Sequence, residues 1–140
     1  MHIIEISSQI QSAIPRKFVI NFLSRAADYL EIKNLDLSVV FVNQLTIKKL
    51  NSQYRNQPLA TDVLSFNYTK DKKSFSGEIV ICYTILKHNS SKLNHSIKQE
   101  LSRILIHSLL HLVGYRHANQ RQAVQMQRME NKILKSLEIK

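Results

Sequence analysis

The chain is poor in several things that would otherwise narrow its identity. It has a single cysteine, Cys82, in 140 residues. One thiol cannot close an internal disulfide, so nothing in the composition asks for an oxidising compartment. No apolar run approaches the ~18 residues needed to cross a bilayer. The opening Met-His-Ile-Ile-Glu-Ile has no basic flank followed by an apolar signal core. These absences lead to the expectation of a cytoplasmic protein with no membrane partner. Internal repeats, low-complexity tracts and long linkers are also missing. Residues 1–140 are therefore expected to form a single domain, long enough for a sizeable core.

Acidic residues are scarce too. There are 10 Asp+Glu against 20 Lys+Arg, for a formal net charge of +10. The excess is uneven: residues 1–70 carry a balance of +3, and residues 71–140 one of +7. A field of that sign attracts polyanions and speeds their encounter.

Hydrophobic periodicity divides the chain into short elements. Residues 2–6 read as a strand. Pro15 suits the opening of a helix carrying Phe18, Val19, Phe22, Leu23, Ala26 and Leu30 at helical spacing. Residues 36–43 are β-branched and aromatic, hence strand. Residues 44–54 read as helix and 55–62 as a loop around Pro58. Val63–Tyr68 and Glu78–Tyr83 read as two strands of a hairpin, joined by a polar turn over Lys70–Ser76. Ser96 and Gln99 have the spacing of a capping box. The helix they open is apolar nearly all round, as a buried central helix would be. Asn119 with Gln122 caps a last helix whose apolar stripe is Met126, Met129, Ile133 and Leu137. The expected fold is α+β: a small mixed β-sheet of about four strands covered by four to five helices, with a zincin-like metal helix.

What the sequence does have is a run of histidines: Ile-His-Ser-Leu-Leu-His-Leu-Val-Gly-Tyr-Arg-His, residues 106–117. On a helix, His107 and His111 lie one turn apart on one face. Gly114 can adopt the left-handed conformation that ends a helix, so His117 can turn back toward the same point. Three neutral imidazoles converging in this way form an open zinc site, with a fourth position for water or substrate. Imidazoles also accept nickel, copper and iron. Such a zinc lowers the pKa of its water to about 7 and polarises a phosphoryl or carbonyl oxygen, so the site implies hydrolysis or a related transfer. The spacing matches the elongated zincin motif except at the residue after the first histidine. Peptidases carry a glutamate base there; this chain has Ser108. Peptide hydrolysis therefore ranks below phosphodiester hydrolysis.

Residues 107–117 resemble the YbeY family of bacterial zinc-dependent endoribonucleases, matching it at His107, Leu110, His111, Leu112, Gly114, Tyr115 and His117. Two further blocks fit in order and spacing: Leu50-Asn51-x-x-Tyr54-Arg55 with Thr61–Phe66, and Gly77–Ile81. The likeness covers residues 36–137. The chain departs from the family at Ser108 (usually glycine), Arg116 (usually aspartate), and Pro58 and Ala60 (usually aspartate and proline). The resemblance implies one Zn2+ held by His107, His111 and His117, with Arg55 and His111 as catalytic residues. Arg55 would face the metal and grip phosphate. It also implies single-stranded RNA as substrate, in ribosomal RNA maturation and ribosome quality control. The partners would be ribosomal RNA precursors and the ribosomal small subunit or associated proteins. The competing readings are a non-catalytic RNA- or ribosome-binding assembly factor with a structural zinc, kept open by Arg116, and a peptide metallohydrolase.

The remaining candidates read as structural first. Asp62 or Thr61 would cap the loop, with Asp62 as general base the minority reading. Cys82 is expected in the core rather than as a fourth ligand. His88 and His95 are expected in solvent. Lys70, Lys72 and Lys73 form a solvated loop, and Tyr115 packs rather than stacking on a base.

Overall fold

The computed structural model describes residues 1–70 and 73–137. Their order is β1 (His2–Ser8), α1 (Arg16–Tyr29), β2 (Asn34–Val42), α2 (Gln44–Arg55), β3 (Val63–Lys70), β4 (Ser74–Cys82), α3 (Tyr83–Lys92), α4 (Ile97–Leu112) and α5 (Gln120–Ser136). The sheet runs β1-β2-β4-β3. β1 and β4 are each parallel to β2, and β3 closes the sheet antiparallel to β4. The fold is α+β, a four-stranded mixed sheet with five helices. No helix among the described residues is long and apolar enough to cross a membrane.

Side-chain alternation along the strands sorts the core into two clusters. Leu35, Leu37, Val39 and Phe41 of β2 join Ile79 and Ile81 of β4 on the face covered by α1 and α4. The intervening residues, Val42, Val80 and Cys82, meet Ile47 of α2 and Leu64 of β3 on the other face. Cys82 is thus a core residue, as expected.

α4 is the centre of the larger cluster. Leu101, Ile104, Leu105, Ile106, Leu109, Leu110 and Leu112 are all at most 2% exposed. Burying each such side chain contributes about 2 kcal/mol, so tertiary packing rather than propensity holds this helix. Its capping box is formed: Gln99 N–H donates to Ser96 Oγ (3.1 Å) and Ser96 N–H to Gln99 Oε1 (2.8 Å).

The carboxyl end of α4 reaches the sheet through Gly77. A Cβ there would lie 2.6 Å from the Phe66 carbonyl oxygen and 2.9 Å from Leu112 Cδ2. Asn67 adds a bond from Nδ2 to the Leu112 carbonyl, 2.8 Å. The last turn of α4 is therefore fixed against β3 and β4.

Two expectations are corrected. The strands extend to Lys70 and from Ser74, so most of the expected turn is strand; residues 71 and 72, Lys72 among them, lie outside the described residues. The strand expected to end at Tyr83 instead stops at Cys82, and Tyr83 opens α3, a helix the apolar pattern did not announce. α3 buries only Tyr83, Leu86 and Ser90, too few to mark a helical stripe.

Candidate metal centre

The site lies where α4 ends against β3. After Leu112, Gly114 adopts φ 111°, a backbone that disfavours any residue with a Cβ. Its N–H donates to the His111 carbonyl (3.1 Å), and the Tyr115 N–H reaches back to Leu110 (2.9 Å). These two bonds form a Schellman cap. Tyr115 packs against the core beside it. The chain reverses, and His117 returns toward the helix face.

His107, His111 and His117 come together. One ring nitrogen from each lies within 4.8 Å of the others, and the ring centroids are 4.8 to 5.6 Å apart. Burial first, then the neighbouring His107, His117, Arg116 and Arg55, pushes the His111 pKa down to about 4. At neutral pH its imidazole is uncharged, the form that ligates a metal. The donor set and geometry fit a metal ion. Cys82 is not among the three.

Behind His107 stands Glu130 of α5. Its carboxylate lies 2.5 Å from His107 Nδ1, and the residue is 6% exposed. A carboxylate in that position accepts from an Nδ1–H tautomer, which leaves Nε2 free to ligate. This is how a carboxylate behind the ring orients a metal-binding imidazole. Sequence reasoning missed Glu130. The signal was present: it interrupts the apolar stripe Met126–Met129–Ile133, where a charge has no packing reason to be.

A second buried carboxylate lies nearer the start of α4. Glu100 is fully buried. Arg103 donates to it through Nε (3.2 Å) and Nη2 (2.5 Å), and His95 Nδ1 lies 3.4 Å away. Burial raises the Glu100 pKa, but Arg103 and His95 outweigh that and hold it below 4.5. His95 is exposed, as expected, with Nδ1 turned toward that carboxylate. His88 is exposed, as expected.

Arg55 ends α2 and lines a cleft of about 390 Å³ with His107 and His111. Local contacts position it. Asn51 is 5% exposed and donates to the Leu59 carbonyl (2.9 Å), tying the 57–61 loop to α2. Tyr54 packs edge-on against Phe66, centroids 5.5 Å apart. Arg55 Nη2 then donates to the Ser65 carbonyl, 2.9 Å. No carboxylate lines this cleft, or the adjoining one with Arg116 and His117, among the described residues. Asp62 instead accepts from the Thr61 hydroxyl at 3.3 Å and lines neither.

Fold and site together define an α+β protein with three converging imidazoles on a buried helix, beside a cleft whose charged groups are cationic. The sequence profile described as Endoribonuclease YbeY matches residues 3–138. The chain is 38% identical over 120 residues to Endoribonuclease YbeY of Borrelia turicatae, covering 82% of this chain and 81% of that protein. With the Finegoldia magna protein of the same name it shares 33% identity over 138 residues, covering 96% and 88%. The solution structure of TM1509 from Thermotoga maritima superposes with a TM-score of 0.65 at 26% identity, covering 97% of this chain and 92% of that one. The chain belongs to the Endoribonuclease YbeY family.

Proposed function

We propose that the protein is a zinc-dependent endoribonuclease that cuts single-stranded RNA in ribosomal RNA maturation, in the cytoplasm. Family membership sets the reaction class. The observation that carries the mechanism is the three-imidazole cluster facing Arg55 across a cleft lined by no carboxylate. Peptidases of similar spacing need a carboxylate base. A phosphodiester needs cations around its oxygens, and this cleft supplies them.

His107, His111 and His117 would hold one Zn2+, with Glu130 fixing the His107 ring. When bound, the ion supplies Lewis acidity toward a phosphoryl oxygen and lowers the pKa of a bound water to about 7. Arg55 binds the scissile phosphate; its fork suits two phosphate oxygens at once. Its bond to the Ser65 carbonyl holds that fork at the cleft wall before substrate arrives. Losing such a charge-stabilising group lowers turnover by about 10²–10³-fold. Arg55→Lys keeps the charge but not the fork, and is expected to recover only part of the rate.

The test is cleavage of a labelled single-stranded RNA, with His111→Ala purified identically. Metal-dependent cutting that His111→Ala lacks supports the reading. Equal behaviour of the two proteins overturns it and favours a ribosome-assembly binding factor. Product ends separate the chemistries: a 2′,3′-cyclic phosphate excludes direct attack by water.

A further inference from the structure

The cationic surface does not stop at the histidines. The cleft holding Arg55, Ser65 and His111 continues into a depression lined by His111, His117 and Arg116. Arg116 also lines the next one, with Gly114, Tyr115 and Gln125. Tyr115 and Gln125 then border a larger hollow of about 670 Å³ along α5, with Arg128, Lys132 and Lys135. Four hollows thus adjoin in sequence, each sharing lining residues with the next.

The α5 hollow has a mostly apolar floor with Met129 and Tyr115, and its rim is cationic. Arg128, Lys132 and Lys135 recur at i, i+4 and i+7, so one helix face presents three cations over about 10 Å. All three are exposed, as is Arg116. Among the described residues none of the four pairs with a carboxylate. Glu130, the one acidic residue within α5, is buried against His107 on another face. Exposed acids gather elsewhere: Glu5, Asp28, Glu31 and Asp36 all lie in the β1–α1–β2 segment. The high net charge is therefore not an even coat for solubility.

We propose that a single RNA strand leaving the histidine cleft continues over the Gly114–Arg116 turn onto the Arg128–Lys132–Lys135 face of α5. This rests on the RNA-cleavage reading and gives it a substrate requirement: nucleotides beyond the scissile phosphate on that side contribute to binding. Tyr115, half-buried and packed on the core, forms the bend between hollows. The cations act on phosphates and carry no base specificity.

The test compares affinities for unstructured RNAs of about 4 and about 12 nucleotides. The proteins are wild type, a triple variant (Arg128→Gln, Lys132→Gln, Lys135→Gln) and a control of equal charge (Lys17→Gln, Arg25→Gln, Lys33→Gln). All six positions are exposed. Wild type should bind the longer RNA at least tenfold more tightly, and the α5 variant should lose most of that advantage. Its dependence of log affinity on log salt should fall by about 2, for three lost phosphate contacts. The control should retain both.

Equal losses in the control would reduce the effect to net charge and overturn the track. A wild type that cuts RNA yet shows no length advantage overturns the track and leaves the nuclease reading standing. Binding of long RNA through α5 without cleavage supports the track and overturns the nuclease. Binding of neither RNA overturns the track, and the cleavage comparison with His111→Ala then decides the nuclease reading on its own.

Discussion

Two glutamates, Glu100 and Glu130, are buried beside α4, and both meet a histidine; their surroundings make them different devices. Glu100 is fully enclosed and answered by Arg103, a permanent cation, with His95 as a second partner. Its charge is settled within the fold. Glu130 is answered by the ring of His107, whose remaining nitrogen faces two more imidazoles. Arg103 also lies within the field of Glu130, but the only side chain bonded to that carboxylate among the described residues is this ring. One carboxylate closes a structural cluster; the other leaves a valence directed at the cleft. Burial of a charge is therefore not enough to mark function; what matters is whether its partners neutralise it without help.

The comparison is broken most strongly by removing the permanent cation. Arg103→Leu leaves Glu100 buried with only His95 beside it. Stripping one partner from a fully buried pair costs about 3–5 kcal/mol; Arg103 is itself 41% exposed, so water screens the pair and denaturant unfolding should show a smaller loss, about 2 kcal/mol. Replacing both, Glu100→Leu with Arg103→Leu, should recover most of it, since two apolar side chains need no compensation. The sign of the acid response should change as well. In the native protein Glu100 titrates below its ordinary 4.5. Its contribution is complete above about pH 4.5 and is lost as pH falls through the folded pKa. Without Arg103, burial dominates and the carboxyl rises above 4.5, so acidification toward that pKa should stabilise the variant. A single loss below 1 kcal/mol would show that water reaches Glu100, and the contrast with Glu130 would collapse.

Glu130→Gln sharpens the other side. Glutamine still accepts from Nδ1 but carries no charge. Changes of this kind lower metal affinity by about 10–100-fold. Chelator competition would read that shift, and Glu100→Gln should leave metal affinity within about twofold. If both variants lose metal alike, the two glutamates are not distinct devices.

How legible each device was in the sequence follows from how local it is. The histidines lie within eleven residues, and their convergence needs only a helix repeat and a glycine turn. Runs of β-branched and aromatic residues announced β2 and the β3–β4 hairpin because both faces of the sheet are packed. The strand order, with β2 between β1 and β4, had no local signal. Arg55 was reached through family resemblance; its place depends on Asn51 and Tyr54 holding α2 to a loop and a strand. Glu130 sits 23 residues from its partner, and only the packing of α5 brings the two together. α3 was invisible because it buries so little.

The smallest effect concerns the turns flanking α4. Two left-handed residues bracket the helix: Asn94 at φ 58° before it and Gly114 at φ 111° after it. Asn94 sits in the ordinary left-handed well, which asparagine tolerates. Its turn delivers His95 to the closed cluster. Gly114 lies well outside that well, where a Cβ is strained, and its turn delivers His117 to the open site. Asn94→Gly should thus change stability by no more than about 0.5 kcal/mol, the relief in the fold offset by the freer unfolded chain. Gly114→Ala should cost about 1–2 kcal/mol. It should also weaken metal binding, because the strain is relieved by moving the segment that carries His117. Thermal unfolding without metal and chelator competition separate these readouts. Loss of stability with unchanged metal affinity would mean that His117 reaches the site independently of the turn. The open end of α4 would then owe its geometry to Asn67 and Gly77, which hold Leu112 against the sheet, rather than to the glycine that ends the helix.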